Sequence, residues 1–346
     1  MIIERPVTFV NRNNCRLFGM LYSPEAPVSA GIGVIVSVNA IKYRVGTFGL
    51  HAILARQLAK LGYPVLTFDP QGIGDSEGEF EHKLLSEHYF DIQTGKYTND
   101  LKDAIGFFVQ SASIGQVVLL GLCGGAIATL MEAADDRRVK GLVLLNLPVL
   151  VEDIRLQGRP DNASKITSST TAATTLTHKW KRLFELNFWR RLVRTQVDLK
   201  EELRLVSRSI FVLGATALRK CLPFRKPASS AIEADKPVSS HRLFNMHSQT
   251  SFKKSMGLGQ QILFVFAELD PWTAIFKSEF QVPALQPGNA YESNYQIHTI
   301  AGSNHIFSGR ESCSKLSAIV ARWLTEKFPV SVQERAAGAG RRYAHE

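Results

Sequence analysis

The stretch from Gln116 to Leu130, QVVLLGLCGGAIATL, constrains the fold of this chain more than any other. Four apolar residues, Val117 to Leu120, run into Gly121-Leu122-Cys123-Gly124-Gly125, and a helix pattern of small residues follows at once. Strand, sharp turn and helix with a cysteine at the apex is the thiol version of a nucleophile elbow, G-x-C-x-G in place of G-x-S-x-G. The apex residue of such a turn is held in a strained backbone conformation. Its neighbours pass so close that they must lack Cβ atoms. The turn lifts the thiol above the sheet and sets it at a helix N-terminus, where the dipole favours an anion.

The rest of the chain supplies the setting for such an elbow. Gly31 to Val38, Pro64 to Phe68, Val139 to Leu147 and Ile262 to Ala267 are short runs of continuous apolar sequence, the mark of strands buried on both faces. Helical spacing separates them at Thr47–Leu61, Tyr97–Val109 and Gly124–Ala134, and Ser312–Phe328 closes the chain with an amphipathic helix. Ile2–Val10 and Arg16–Tyr22 read as two strands joined by the turn Asn11-Arg12-Asn13-Asn14, and Tyr295–Ile300 as a final strand. Alternating β and α predict an α/β fold, a mostly parallel central sheet with helices on both faces.

The alternation breaks in the middle. Residues 151–257 hold 20 Lys/Arg against 9 Asp/Glu, whereas the whole chain has 41 and 31. Nearly all of the net charge of +10 therefore sits in this segment. It contains Ser/Thr/Ala-rich stretches and a helical run, Trp180–Val206, with an apolar stripe through Leu183, Leu186 and Trp189. The expected organisation is a core over 1–150, a basic helical cap with flexible linkers over 151–257, the rest of the core over 258–329, and a disordered tail over 330–346. The basic, aromatic cap suggests peripheral contact with an anionic membrane. No nucleic-acid motif accompanies the charge. The four scattered cysteines form no C-x-x-C pair, which argues against a zinc site or a disulfide framework. The opening residues MIIERPVTFV lack the pattern of a signal peptide, and the expected location is the cytoplasm.

Chemistry can be assembled from the strand ends. In chains with the α/β-hydrolase order, nucleophile, acid and histidine follow one another along the sequence. Here Asp270 follows one late strand and His305 follows the next, both at the edge where open α/β sheets bind ligands. Cys123, His305 and Asp270 are thus the expected triad, with Glu268 or Asp153 as alternative acids. Cys123 would attack an acyl carbonyl. His305 would move its proton and later activate water. Asp270 would fix the imidazole tautomer. Oxyanion-hole donors are expected at the Gly124 amide and at Ala40 or Ile41 in the loop after the first buried strand. Lys42 and Arg44 in the same loop are expected either to meet an anionic acyl or carrier group of the substrate or to form an ordinary salt bridge. The triad implies no cofactor and no metal.

Several motifs resemble a known group. They are Tyr43-Arg44-Val45-Gly46, Leu54-Ala55-Arg56, Pro64-Val65-Leu66 leading into Phe68-Asp69, Gly74-Asp75-Ser76-Glu77-Gly78, Gly121-Leu122-Cys123 and Phe188-Trp189-Arg190-Arg191-Leu192. Together the chain resembles the exosortase A system-associated hydrolases, type 1, of the α/β-hydrolase superfamily. It departs from their pattern at Gly124, Ala40-Ile41-Lys42 and Pro70-Gln71-Gly72. The resemblance implies a hydrolase encoded with exopolysaccharide and protein-sorting machinery.

The expected activity is cleavage of an ester or thioester, in a small or carrier-linked acyl substrate, through an acyl-cysteine. Dienelactone-hydrolase-like cleavage and acyl transfer are the enzymatic alternatives. A non-catalytic binding protein on the same fold is the alternative of another class.

Overall fold

A computed structural model of the chain describes residues 2–25, 31–38, 43–80, 85–152, 242–281, 284–285, 288 and 290–330. Most of the expected cap lies outside those residues. So do Ala40, Ile41, Lys42, Asp153 and all but the first residue of the expected tail. The chain divides into two compact units, Met1–Ile154 with His241–Glu346, and Arg155–Ser240. The second unit lies outside the described residues.

Eight strands of the first unit form one sheet: β1 (Ile2–Val10), β2 (Arg16–Pro24), β3 (Ile32–Ser37), β4 (Val65–Phe68), β5 (Gln116–Leu122), β6 (Val139–Leu145), β9 (Gln261–Ala267) and β10 (Tyr295–Ile300). Their spatial order is β1-β2-β4-β3-β5-β6-β9-β10. From β4 to β10 every neighbouring pair is parallel, while β2 runs antiparallel to both β1 and β4. The sheet is thus mostly parallel and covered on both faces. The edge strand β1 is largely exposed, and Glu4, Arg5 and Pro6 on it discourage pairing with a further strand. Two short strands, β7 (Leu150–Glu152) and β8 (Arg242–Phe244), make a separate antiparallel pair.

The inner parallel strands, β3 to β6 and β9, have no polar face, so alternate residues enter two different cores. Ile35, Leu119, Leu142, Leu144 and Phe264 point to one side, into a core shared with α3 (Thr98–Ser111) and α4 (Gly124–Ala133). Val34, Val118, Val143 and Val265 point to the other, against α1 (Leu50–Lys60) and α7 (Arg310–Lys327). The first core is also aromatic: Phe264 and Phe266 meet Phe276 and Phe280 at ring separations of 4.3–6.5 Å. Phe276 ends α6 (Pro271–Phe276), so this cluster seats the segment that carries Asp270.

Three elements differ from the sequence expectation. Helix α2 (Leu85–Thr94) is not among the elements expected from the sequence, because its spacing of apolar residues is weak. Helix α5 (Met246–Gly257) falls within the expected cap yet belongs to the first unit and packs on α4. Its inward face is built from Ser248, Ser251 and Ser255 with Phe252 and Met256, so no continuous apolar stripe betrays it. The helix expected at Thr47 begins as an α-helix only at Leu50. Phe48 (φ 54°) and Gly49 (φ 75°) hold left-handed conformations that cannot continue a helix.

Phe264 is fully buried at the centre of the aromatic group. Phe264→Ala is expected to destabilise the protein by about 3–5 kcal/mol, as large cavities in well-packed cores do. Equilibrium denaturant unfolding with an unchanged slope would measure it.

Candidate active site

The site is built at the C-terminal ends of β5, β6, β9 and β10. Strand β5 turns sharply into α4 at Cys123, whose φ of 54° and ψ of −117° lie where L-residues rarely go. Such a conformation costs of the order of 1–3 kcal/mol and persists because its surroundings over-determine it. The Cys123 N–H donates to the Leu145 carbonyl at 2.9 Å, and the Cys123 carbonyl accepts from Ala126 and Ile127. The flanking glycines have no alternative. A Cβ on Gly121 would stand 2.2 Å from the Gly125 carbonyl oxygen. One on Gly125 would stand 2.6 Å from that of Ser37. The end of β3 therefore lies directly against the first turn of α4, beside the thiol.

Asp270 and His305 meet across two later loops. The carboxylate Oδ2 of Asp270 lies 2.6 Å from His305 Nδ1. Its other oxygen, Oδ1, accepts from the Trp272 N–H at 3.2 Å and caps α6. The Asp270 side chain is almost wholly buried, whereas the imidazole is about one third exposed. Cys123 lies near enough to His305 for the thiol to influence its titration. With Nδ1 engaged by Asp270, the nitrogen left for the thiol is Nε2. Burial acts to lower the His305 pKa, but the hydrogen bond to Asp270 and the influence of the neighbouring Cys123 and Asp270 outweigh it and push the value up to about 10. The structure thus brings Cys123, His305 and Asp270 together at the strand ends. Glu268, the alternative acid, is engaged elsewhere, accepting from the Gly302 N–H at 2.8 Å.

Among the expected oxyanion and substrate residues, Gly124 is buried at the first position of α4, next to the thiol. Ala40, Ile41 and Lys42 lie outside the described residues. Arg44 is described, and its guanidinium is occupied by acids. It pairs with the fully buried Asp69 and, at 2.7 Å, with Asp75. The Arg44 N–H donates to the same Asp69 carboxylate. The Asp75 N–H also reaches Asp69, at 3.2 Å. Gly74 is needed for this arrangement, since a Cβ there would strike the Asp69 carboxylate. Arg44 thus ties the loop after β3 to the loop after β4, with its charge already balanced.

Sequence reasoning missed Asn146. It follows β6 directly, is fully buried and has φ 45°, a conformation that Asn tolerates better than most residues. Its Nδ2 donates to the His305 carbonyl at 2.8 Å, and its Oδ1 accepts from the Ala267 N–H at 2.8 Å. The preceding carbonyl, of Leu145, holds the Cys123 amide. Two consecutive residues therefore fix the nucleophile's backbone, the histidine's backbone and the strand end that leads to Asp270. A lone polar residue closing the apolar run VKGLVLLNL was the only trace of this in the sequence.

Comparison with known proteins agrees with the architecture. Residues 45–204 match the family model described as alpha/beta hydrolase fold. A polyketide transferase, grgF of Penicillium sp., is 33% identical over 92 residues, which are 26% of this chain and 29% of that protein. The chain thus matches under a third of that curated relative's length. Among solved structures, an esterase of Pyrococcus furiosus superposes with a TM-score of 0.53 at 12% identity, over 94% of this chain and 92% of the other. A proline iminopeptidase of Mycobacterium smegmatis gives 0.51 at 14% identity, over 93% and 98%. At these identities the likeness is one of fold. No helix among the described residues is long and apolar enough to cross a membrane.

Two outcomes are expected from this geometry. Asn146→Ala leaves the buried His305 carbonyl and Ala267 N–H without partners, and should cost about 2–4 kcal/mol in chemical denaturation. The His305 pKa is raised on folding, so its contribution to stability is whole below about 6.5 and is lost as pH rises through about 10. The stability gap between wild type and His305→Gln, measured from pH 6 to 10.5, should narrow with rising pH.

The parallel sheet, the helices on both of its faces, and the strained strand-to-helix elbow beside the His305–Asp270 pair make this chain a protein of the α/β-hydrolase fold.

Proposed function

We propose that the protein hydrolyses an ester or thioester acyl bond, with Cys123 as nucleophile, His305 as general acid and base, and Asp270 as the group that orients His305. One observation carries this reading: a thiol on a strained elbow beside an imidazole whose Nδ1 is held by a buried carboxylate. The raised His305 pKa favours the imidazolium, the partner a thiolate needs. In the first step the Cys123 sulfur bonds to the acyl carbon, and the carbon–heteroatom bond breaks as His305 Nε2 gives its proton to the leaving group. In the second, His305 takes a proton from water, and the hydroxide oxygen displaces the sulfur to release the acid. The Gly124 N–H is the natural first donor to the oxyanion, with Ala40 or Ile41 as the second. The exosortase-associated resemblance suggests a substrate met in exopolysaccharide assembly.

Acyl transfer is the second reading, favoured by the partial match to a polyketide transferase. The same acyl-cysteine would then pass to an acceptor other than water.

A chain-length panel of aryl esters and acyl thioesters tests the proposal. Wild type should turn over part of the panel, and Cys123→Ala should lose at least about a thousand-fold in kcat/KM, the scale on which nucleophile removal acts. Iodoacetamide should label Cys123 faster than Cys15 or Cys313. Full activity in Cys123→Ala, or a Cys123 thiol slower than the other two, would refute the nucleophile. Turnover that needs an added alcohol, amine or thiol would favour transfer.

A further inference from the structure

A cavity of about 590 Å³ opens between the start of α1 and the segment leading from His305 into α7. Its volume is in the range of small-molecule sites. Phe48, Leu50, Ile53, Ile306 and Phe307 give it apolar walls, and the exposed Arg310 adds a positive charge. The groove begins one residue after His305. Leu50, Phe307 and Cys313 on its wall belong to the same apolar cluster that Cys123 packs against.

The construction of the groove is unusual for plain surface. Phe48 is 78% exposed, although its ring is among the most costly to leave in water. It is presented by a left-handed backbone between Gly46 and Gly49, also left-handed. Phe307, at φ 48°, holds the opposite wall. Strain at two aromatic positions facing one cavity is what a ligand clamp requires. Arg310 makes no ion pair among the described residues. The helices that start at the groove, α1 and α7, have glycine at the N-cap and no side chain capping their first amides. Arg310 and these amides favour an anion at one end of an otherwise apolar occupant.

We propose that this groove receives the leaving group of the substrate, an extended aliphatic thiol or alcohol that carries an anionic group. The proposal rests on the acyl-hydrolase reading above. In that chemistry the proton released from Cys123 is delivered by His305 Nε2 to the departing heteroatom. The leaving group must therefore lie on the histidine side of the thiol, and its chain runs past Ile306 and Phe307. The acyl group, bonded to sulfur, remains outside the groove. Cleavage of the carbon–heteroatom bond frees the thiol or alcohol from the groove, and water then completes the turnover.

The test uses butyryl thioesters that differ only in the thiol: ethanethiol, octanethiol and 8-mercaptooctyl phosphate. Wild type should show kcat/KM at least about ten-fold higher for the octyl than for the ethyl thioester, since each buried methylene favours binding. The phosphate should add about three-fold or more. Phe48→Ala should abolish most of the octyl gain, and Arg310→Gln the phosphate gain alone. Equal kcat/KM for all three thioesters, or gains that survive both substitutions, would overturn the proposal. Octyl phosphate titrated into the Cys123→Ala protein, followed by calorimetry, supplies an arm that needs no turnover. Saturable binding weakened about ten-fold by either Phe48→Ala or Arg310→Gln supports the groove even if thioester cleavage is absent, a result that would count against the acyl-hydrolase reading instead. Absence of binding, or binding indifferent to both substitutions, overturns the groove.

Discussion

The end of β3, the Cys123 turn and the first turn of α4 approach one another so closely that a single methyl group would not fit between them. Everything else at the site depends on this contact. It forces glycine at positions 121 and 125, and it holds Cys123 in a conformation the residue would not choose. It also brings the backbone of Ser37 and Val38, at the end of β3, against the turn that carries the thiol. The cost of the strained elbow is carried by the sheet beneath it, since the Cys123 amide is pinned to the end of β6 and both cores grip the strands on either side.

Because the constraint acts on the backbone, much of it was legible in the sequence. Gly-x-Cys-x-Gly after an apolar run leaves few structural alternatives. Asp270 follows β9, whose apolar run announces burial on both faces, whereas His305 follows the mixed edge strand β10 and stood out through its place after the last strand. The α/β architecture was legible from such apolar runs. What stayed hidden was held by polar contacts. Asn146 is one amide at the end of an apolar run, and its importance lies in partners more than a hundred residues away. Helix α5 turns serines inward, so the periodic signal that exposes amphipathic helices is missing. Arg44 could be placed in the right loop but not paired, because nothing in its neighbourhood points to Asp69, 25 residues on.

The two halves of the site are anchored differently. The nucleophile side rests on steric necessity: removing a glycine would push backbone against backbone. The histidine side rests on hydrogen bonds through Asn146 and Asp270, which can be weakened one at a time. The loop carrying Arg44 is joined to the sheet by a buried carboxylate serving two loops at once. The loops can therefore change while the position of the thiol stays fixed.

Asp270 divides its carboxylate between two tasks. One oxygen holds His305, and the other caps the helix whose last residue, Phe276, is locked into the aromatic core. The orientation of the imidazole is thereby coupled to the seating of a helix that never touches the thiol. A change in the packing around Phe276 and Phe280 can be transmitted as a small rotation of the imidazole. The fold thus contains a mechanical link from its interior to the His305 side chain, running through residues that meet no solvent.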